Sequence, residues 1–113
     1  MLVVTRHHAG DDFLTAAEAA VAALADRPGC LQARVARAID EPGVYLLISE
    51  WLDVGSYRRA LSNFDVKVAA VPVLASAVDE ASAFEVLAAA DPDGPVRRFD
   101  SDRAPDADSA GPS

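Results

Sequence analysis

The sequence predicts an α+β fold in which an antiparallel sheet carries helices on one face. Three observations predict it. Strand and helix patterns alternate in the order β-α-β-β-α-β, the second and third strands are joined by a short turn, and each helix has the length needed to cover one face of the sheet. Two right-handed βαβ crossings joined by a tight hairpin give the ferredoxin-like arrangement, in which the third strand lies between the first and second.

The first half of the chain supplies a strand, a helix and a second strand. Residues 2–6, "LVVTR", are short and β-branched, as a strand requires. The following helix has a buried face at helical spacing, formed by Phe13, Ala17, Ala20, Val21 and Leu24. Asp11 or Asp12 is placed to cap its start, and Pro28-Gly29 ends it. Residues 30–39 are then predicted as the second strand.

The second half begins with a turn, "DEPG", in which Gly43 supplies a positive φ. Residues 44–51 form the third strand and residues 53–64 the second helix. Asp53 is expected to cap this helix, and Leu52 and Tyr57 have the spacing of a hydrophobic staple. The helical pattern continues beyond the second helix until Pro72, which should kink or restart it. Residues 82–87 are predicted as the closing strand.

Composition limits the class of protein. The 113 residues are 51% hydrophobic and 25% charged, as in one small domain, and the net charge of -8 disfavours nucleic acid and anionic membranes as partners. A single cysteine, the lack of a signal peptide and the lack of a long apolar segment predict a cytoplasmic protein. We expect the folded domain to span residues 1–90, and residues 91–113 to form a disordered acidic tail rich in Pro, Ala and Asp.

The third strand is apolar on both of its faces. Val44, Leu46 and Ile48 point one way, and Tyr45, Leu47 and Trp51 point the other. One face can pack under the helices, but the chain is too short to cover the other. A second copy is the simplest cover, which predicts a homodimer of two sheets packed face to face; scattered exposed aliphatic residues are the alternative.

Candidate polar residues lie on or beside the strands. His7 and His8 are adjacent, so they face opposite sides of a strand and cannot bind one metal together; one could line a cavity, or both could lie at a solvated strand end. Glu50 is a candidate proton acceptor or a surface charge. Arg34, with Arg6 and Arg37, could bind an anionic group or lie on the surface. No phosphate-binding loop or metal-ligand spacing is present, so no metal is expected.

The stretch "EWLDVGSYRRAL", with the hairpin strand before it and "FDVKVAAVPVL" and "SAFEVL" after it, resembles the antibiotic biosynthesis monooxygenase family. The resemblance implies a dimeric α/β barrel built from ferredoxin-like subunits. It also implies oxidation of phenolic substrates by O₂ without a cofactor, with Trp51 and Tyr57 as catalytic candidates. Haem-degrading relatives use a histidine in the second helical region as the iron ligand. This sequence has no histidine between Asp53 and Glu80, so haem degradation is not expected.

These patterns leave two hypotheses for function. The first is a cofactor-independent monooxygenase that oxidises a small aromatic or polyketide-type molecule. The second is a non-catalytic dimeric barrel that binds a small hydrophobic ligand or a protein partner. Convergence of Trp51, Tyr57 and a titratable group on one open cavity would favour the first hypothesis, whereas a space filled by side chains would favour the second. Core packing alone is also a sufficient explanation of each aromatic residue.

Overall fold

The fold was determined from a computed structural model that describes residues 1–100. Its elements in chain order are β1 Leu2–His8, α1 Phe13–Ala25, β2 Cys30–Arg37, β3 Val44–Trp51, α2 Val54–Leu61, α3 Phe64–Ala69, α4 Val71–Ala75, β4 Ala83–Phe84, β5 Ala88–Ala89 and β6 Arg97–Arg98. The main sheet is antiparallel with the order β2-β3-β1-β4. The predicted α+β, ferredoxin-like arrangement is therefore confirmed, with the third strand between the first and second.

The two faces of the sheet differ in burial, because alternate residues of each strand point to opposite sides. The covered face lies under the helices and contains Val3, Thr5, His7, Tyr45, Leu47, Ser49 and Trp51, all of which are buried. The open face contains Leu2, Val4, Arg6, His8, Val44, Leu46, Ile48 and Glu50, none of which is buried. Leu46 therefore faces away from the helices, and Leu47 faces them.

Helix α1 covers the sheet through small residues. Ala17 and Ala20 are fully buried, which lets the helix backbone approach the strands closely, and Leu24 and Phe13 fill the space at its two ends. Asp12 is the N-cap residue, as predicted, but its side chain makes no capping hydrogen bond. The amide of Phe13 instead donates to the carbonyl oxygen of Gly10 at 3.1 Å.

Two glycines shape the turns. Gly43 has φ +78°, as predicted for the turn before β3. Gly29 has φ +84°, and a Cβ at this position would overlap Ser56 of α2. The amide of Leu52 donates to the carbonyl oxygen of Gly29 at 2.8 Å, which ties this turn to the end of β3. Nearby, the pairing of β2 with β3 shifts register between Cys30 and Gln32, forming a bulge.

The second helical region is segmented, so the expectation of one helix over residues 53–64 was wrong at its end. Asn63 stops α2 and starts α3, because its side-chain oxygen accepts a hydrogen bond from the amide of Val66 at 3.2 Å. Pro72 lies in the first turn of α4, where proline is tolerated, so the predicted restart is confirmed. In the described part of the chain, no helix is long and apolar enough to cross a membrane.

The C-terminal part of the described chain differs from the predicted closing strand over residues 82–87. Only Ala83–Phe84 pairs with β1, and β5 and β6 form a separate two-stranded sheet. The amide of Phe99 also donates to the carbonyl oxygen of Leu87 at 3.0 Å, which draws the chain into a local hairpin. The predicted domain boundary at residue 90 falls within this hairpin. The part of the predicted tail after residue 100 lies outside the described residues.

Candidate functional site

Trp51 and Tyr57 meet at the end of β3, where the strand passes into α2. Trp51 has 0% of its surface exposed, and its ring centroid lies 5.4 Å from that of Tyr57 at an interplanar angle of 55°. The indole N–H of Trp51 donates to the hydroxyl of Ser49 at 2.8 Å. The two catalytic candidates are thus brought together, and the Trp51 donor is used within the chain.

The start of α2 positions Tyr57. The side chain of Asp53 accepts hydrogen bonds from the amide and the hydroxyl of Ser56 at 2.7 and 2.8 Å, as predicted for a cap. These bonds, the hydroxyl first and then the amide, hold the pKa of Asp53 below its usual value. Leu52 is 69% exposed, and the ring contact of Tyr57 is with Trp51. The cap therefore fixes Tyr57 against the indole.

The chemistry of Tyr57 follows from its burial. Burial raises the pKa of the Tyr57 phenol above its ordinary value, because the charged phenolate loses solvation. The side chain therefore keeps its proton at neutral pH and acts as a hydrogen-bond donor rather than a base. A base for this end of the sheet has to come from another residue.

A groove of about 420 Å³ lies beside Trp51, and Tyr57 is not among the residues that line it. Its lining includes Glu50, Trp51, Leu31, Leu52 and Phe99. The last three expose 59%, 69% and 45% of their surfaces, so the groove combines apolar walls with the carboxylates of Glu50, Glu85 and Asp100 and the guanidinium of Arg97. The structure therefore places one titratable candidate, Glu50, next to the end of β3 that carries Trp51.

His7 lies at the other end of the covered face. It pairs in register with Tyr45, which lies six positions before Trp51 along β3, a distance of roughly 20 Å. His7 is 1% exposed, so the interpretation that both histidines are solvated was wrong for His7. Its Nε2 lies 2.7 Å from the hydroxyl oxygen of Thr5, and its Nδ1 lies 3.1 Å from that of Ser76.

The hydrogen bonds around His7 determine its tautomer. The Ser76 hydroxyl donates to the carbonyl oxygen of Val73 at 2.7 Å, so the Ser76 oxygen accepts from Nδ1–H of His7. In the neutral ring, Nε2 then carries no proton and accepts from the Thr5 hydroxyl at 2.7 Å, a much shorter contact than the 3.5 Å from that hydroxyl to the carbonyl oxygen of Leu47. Burial lowers the pKa of His7 below its ordinary value of 6.5, which favours this neutral form. His7 is thus a hydrogen-bonded core residue linking β1 to the end of α4.

The remaining candidates lie on the open face of the sheet. His8 is exposed and pairs with Val44, and Arg34 is exposed and pairs with Ile48. Glu50 pairs with Leu2 on one side and with Gln32 on the other. The candidates therefore divide between the two faces, and Glu50 alone lines the groove beside Trp51. Among the described residues, no group of three acidic, cysteine or histidine side chains could hold a metal ion.

Sequence reasoning missed the polar partners of the buried residues. Ser49 lies two positions before Trp51, so the alternation of β3 already places both side chains on one face. Thr5 and His7 have the same relation on β1. Ser76 lies 69 residues from His7 in the chain, and no local pattern connects them.

The chain folds as a small ferredoxin-like domain with an aromatic pair at the end of β3. The model of the antibiotic biosynthesis monooxygenase family matches residues 4–70, more than half of the chain. The chain belongs to this family. No curated protein matches it significantly.

Solved structures agree with this assignment. The chain is similar to SnoaB, a cofactor-independent oxygenase from Streptomyces nogalater, with 26% identity over 76% of this chain and 91% of that chain and a TM-score of 0.56. It shares its fold with a conserved protein from Methanosarcina mazei Go1, at 19% identity over 73% and 84% of the two chains and a TM-score of 0.59. It also shares its fold with PA3566 from Pseudomonas aeruginosa, at 14% identity over 70% of this chain and 83% of that chain and a TM-score of 0.54.

Proposed function

We propose that this protein is a cofactor-independent monooxygenase that oxidises a small aromatic or polyketide-type phenol with O₂. The observation that carries the proposal is the position of Trp51, packed against Tyr57, in the wall of a groove that also contains the Glu50 carboxylate. Membership of the family supports it, and so does the similarity to a cofactor-independent oxygenase. The apolar walls of the groove suit a flat aromatic ring.

The proposed reaction needs few protein groups. Glu50 accepts the proton of the substrate hydroxyl, and the electron-rich phenolate then passes electrons to O₂. A C–O bond forms at the ring carbon para to the hydroxyl, and the proton taken up by Glu50 passes to the outer peroxide oxygen, giving a hydroperoxide. Loss of water from this hydroperoxide leaves a quinone, so one oxygen atom enters the product and the other leaves as water. Trp51 forms the wall behind the ring. The proposal also requires the Tyr57 side chain, which packs on Trp51, to reach the groove, where its hydroxyl donates to the charge that develops on oxygen.

The experiment that tests this function is oxygen consumption by the purified, chelator-treated protein with a panel of hydroxylated naphthalenes and anthrones. Labelled ¹⁸O₂ should place one labelled atom in the quinone. Glu50→Gln and Tyr57→Phe should each slow the reaction by roughly ten- to a hundredfold. Glu41→Gln, in the exposed turn before β3, is the matched control and should leave the rate unchanged. Turnover that is insensitive to Glu50 and Tyr57 would contradict the proposed site.

Trp51→Phe tests the indole separately. If the N–H of Trp51 leaves Ser49 to reach a substrate oxygen, this change should slow phenol oxidation by roughly ten- to a hundredfold while folding stays nearly intact. If Trp51 only packs, the change should lower stability by about 1–2 kcal/mol and leave the rate unaltered. Melting temperature and rate, measured on the same preparation, distinguish the two roles.

The proposed assembly is a homodimer through the open face of the sheet. The aliphatic side chains of Val4, Val44, Leu46 and Ile48 lie there, and no helix of the described chain covers them. A pair of sheets packed face to face should bury on the order of 1,600 Å² or more. Sedimentation at micromolar concentration should give a dimer, and a stable monomer would contradict this assembly.

A second candidate function is that of a non-catalytic barrel that binds a small hydrophobic ligand or a protein partner. The observation that favours it is the full burial of Trp51, with its N–H donated to Ser49. This function predicts saturable binding of aromatic ligands in the groove without oxygen consumption. Binding is measured by quenching of Trp51, which is the single tryptophan of the chain. Quinone formation under the same conditions excludes this candidate.

A further inference from the structure

A second cavity, of about 280 Å³, lies where the turn after α1 meets the junction of α2 and α3. Its lining contains two guanidinium groups, two hydroxyls and one amide, from Arg27, Arg59, Ser56, Ser62 and Asn63, together with Pro28 and Ala60. No carboxylate lines it. This composition is unusual on a chain with a net charge of -8, and it provides hydrogen-bond donors around a positive centre.

Packing and hydrogen bonds within the chain hold the walls of this cavity in place. Gly29 lies so close to Ser56 that a Cβ would overlap the Ser56 side chain, and the carbonyl oxygen of Gly29 accepts from the Leu52 amide at 2.8 Å. On the other wall, the side-chain oxygen of Asn63 is used by the Val66 amide, which leaves its NH₂ group as a donor. A rigid site loses less entropy when it binds a ligand.

The two arginines keep donors free. Arg27 is 3.5 Å from Asp26, whose side chain is 85% exposed, and Arg59 is 4.0 Å from Asp53. Arg59 also donates to the Ser56 hydroxyl at 3.3 Å. Each guanidinium has five N–H groups, so these long contacts satisfy a small part of its capacity.

From these features we infer that the cavity is a binding site for a small oxyanion of the phosphate class. Guanidinium groups bind phosphate oxygens bidentately, and the Ser62 hydroxyl and the Asn63 NH₂ group complete such a shell. The Ser56 hydroxyl donates to Asp53 and therefore forms part of the wall rather than a ligand donor. The volume accepts a phosphate group with a small substituent, and the lining shares no residue with that of the groove beside Trp51, so the two sites are distinct. It is independent of the proposed oxygenase function.

The test is a titration of the full chain with inorganic phosphate at constant ionic strength, followed by amide chemical shifts. We expect saturable shifts at Ser56, Arg59 and Asn63, with no such response to chloride. Arg59→Gln should weaken phosphate binding by about tenfold or more, because a charge-assisted hydrogen-bond donor is lost. Arg59 has a side chain that is 74% exposed, so this variant should stay folded. Arg59→Lys should bind with intermediate affinity, since it keeps the charge and loses the bidentate geometry.

Arg58→Gln is the matched control, because Arg58 is the adjacent exposed arginine of the same last turn and does not line the cavity. It should bind phosphate as the parent protein does. If Arg58→Gln and Arg59→Gln lowered the phosphate affinity equally, the inference would be overturned, because both arginines would then act only through the positive charge at the end of α2. Linear, non-saturating shifts in the parent protein would also overturn it.

Discussion

The two faces of the same sheet satisfy their polar groups in different ways. On the covered face, His7 bonds to Thr5 and Ser76, and Trp51 bonds to Ser49. No buried side-chain nitrogen or oxygen of the described residues lacks a partner there or elsewhere. On the open face, aliphatic side chains alternate with charged ones, and Arg6 is held by an exposed ion pair with Glu80 at 3.3 Å.

This difference separates stability from function. The covered face is a core in which the buried polar side chains already have hydrogen-bond partners within the chain. The open face and the groove at the end of β3 offer apolar surface together with charge, as binding surfaces do. Of the candidate residues on the sheet, His7 belongs to the first environment, and His8, Arg34 and Glu50 belong to the second. Trp51 lies at the boundary, because it is buried in the core and also lines the groove.

The largest effect is expected when the same negative charge is placed on each face of the sheet in turn. Leu47→Asp should unfold the domain, because it buries a carboxylate without a partner at a fully buried position, a cost of several kcal/mol. Leu46→Asp, one residue away on the open face, should leave the fold intact and abolish the proposed dimer. Circular dichroism and sedimentation velocity together measure both effects. A folded Leu47→Asp protein would contradict the assignment of the faces.

The next largest effect should come from Ser49. Ser49→Ala leaves the buried indole N–H of Trp51 without an acceptor, which should lower the free energy of unfolding by about 1–3 kcal/mol. Urea denaturation measures this change, and Thr15→Ala on the exposed side of α1 is the control. Adding Trp51→Phe to Ser49→Ala should cost less than the sum of the two single changes, because the unpaired donor disappears. Strict additivity would argue against the hydrogen bond.

The two histidines lie on opposite faces of the sheet, and they should differ in their effect on the pH dependence of folding stability. Burial keeps the pKa of His7 below 6.5 in the folded chain, so the unfolded chain binds this proton more readily. The corresponding stability is present above pH 6.5 and is lost as the pH falls below it. His7→Gln should flatten this dependence between about pH 7.5 and 5.5. His8→Gln, on the exposed side of the same strand, should leave it unchanged.

The smallest expected effect concerns the cap of α2. The lowered pKa of Asp53 means that its stabilising contribution is present above its usual value of 3.8 and is lost as the pH falls through the folded-state value. Asp53→Ala should lower the melting temperature slightly at neutral pH, whereas Asp53→Asn should keep the cap and lose its acid sensitivity. Identical melting curves for the Ala and Asn variants would exclude a capping role.

Sequence patterns predicted the strand order because β1, α1, β2 and β3 follow strict periodicities with clear turn residues between them. The junction of Trp51 with Tyr57 was also predictable, since the Asp53 cap fixes the passage from strand to helix. The C-terminal strand was predicted too long, because "SAFEVL" has strand composition and its pairing depends on distant backbone atoms. The burial of His7 depends on Ser76 and Phe13, which reach it through tertiary packing.

The bulge in β2 has a consequence for how this protein behaves when concentrated. β2 ends the sheet on one side, so one row of its backbone groups has no strand beside it among the described residues. An open edge of this kind invites other chains to add strands without limit, which leads to aggregation. The register shift between Cys30 and Gln32 distorts this edge, and Arg34 and Arg37 add exposed charge along it. Growth by edge-to-edge stacking is therefore disfavoured.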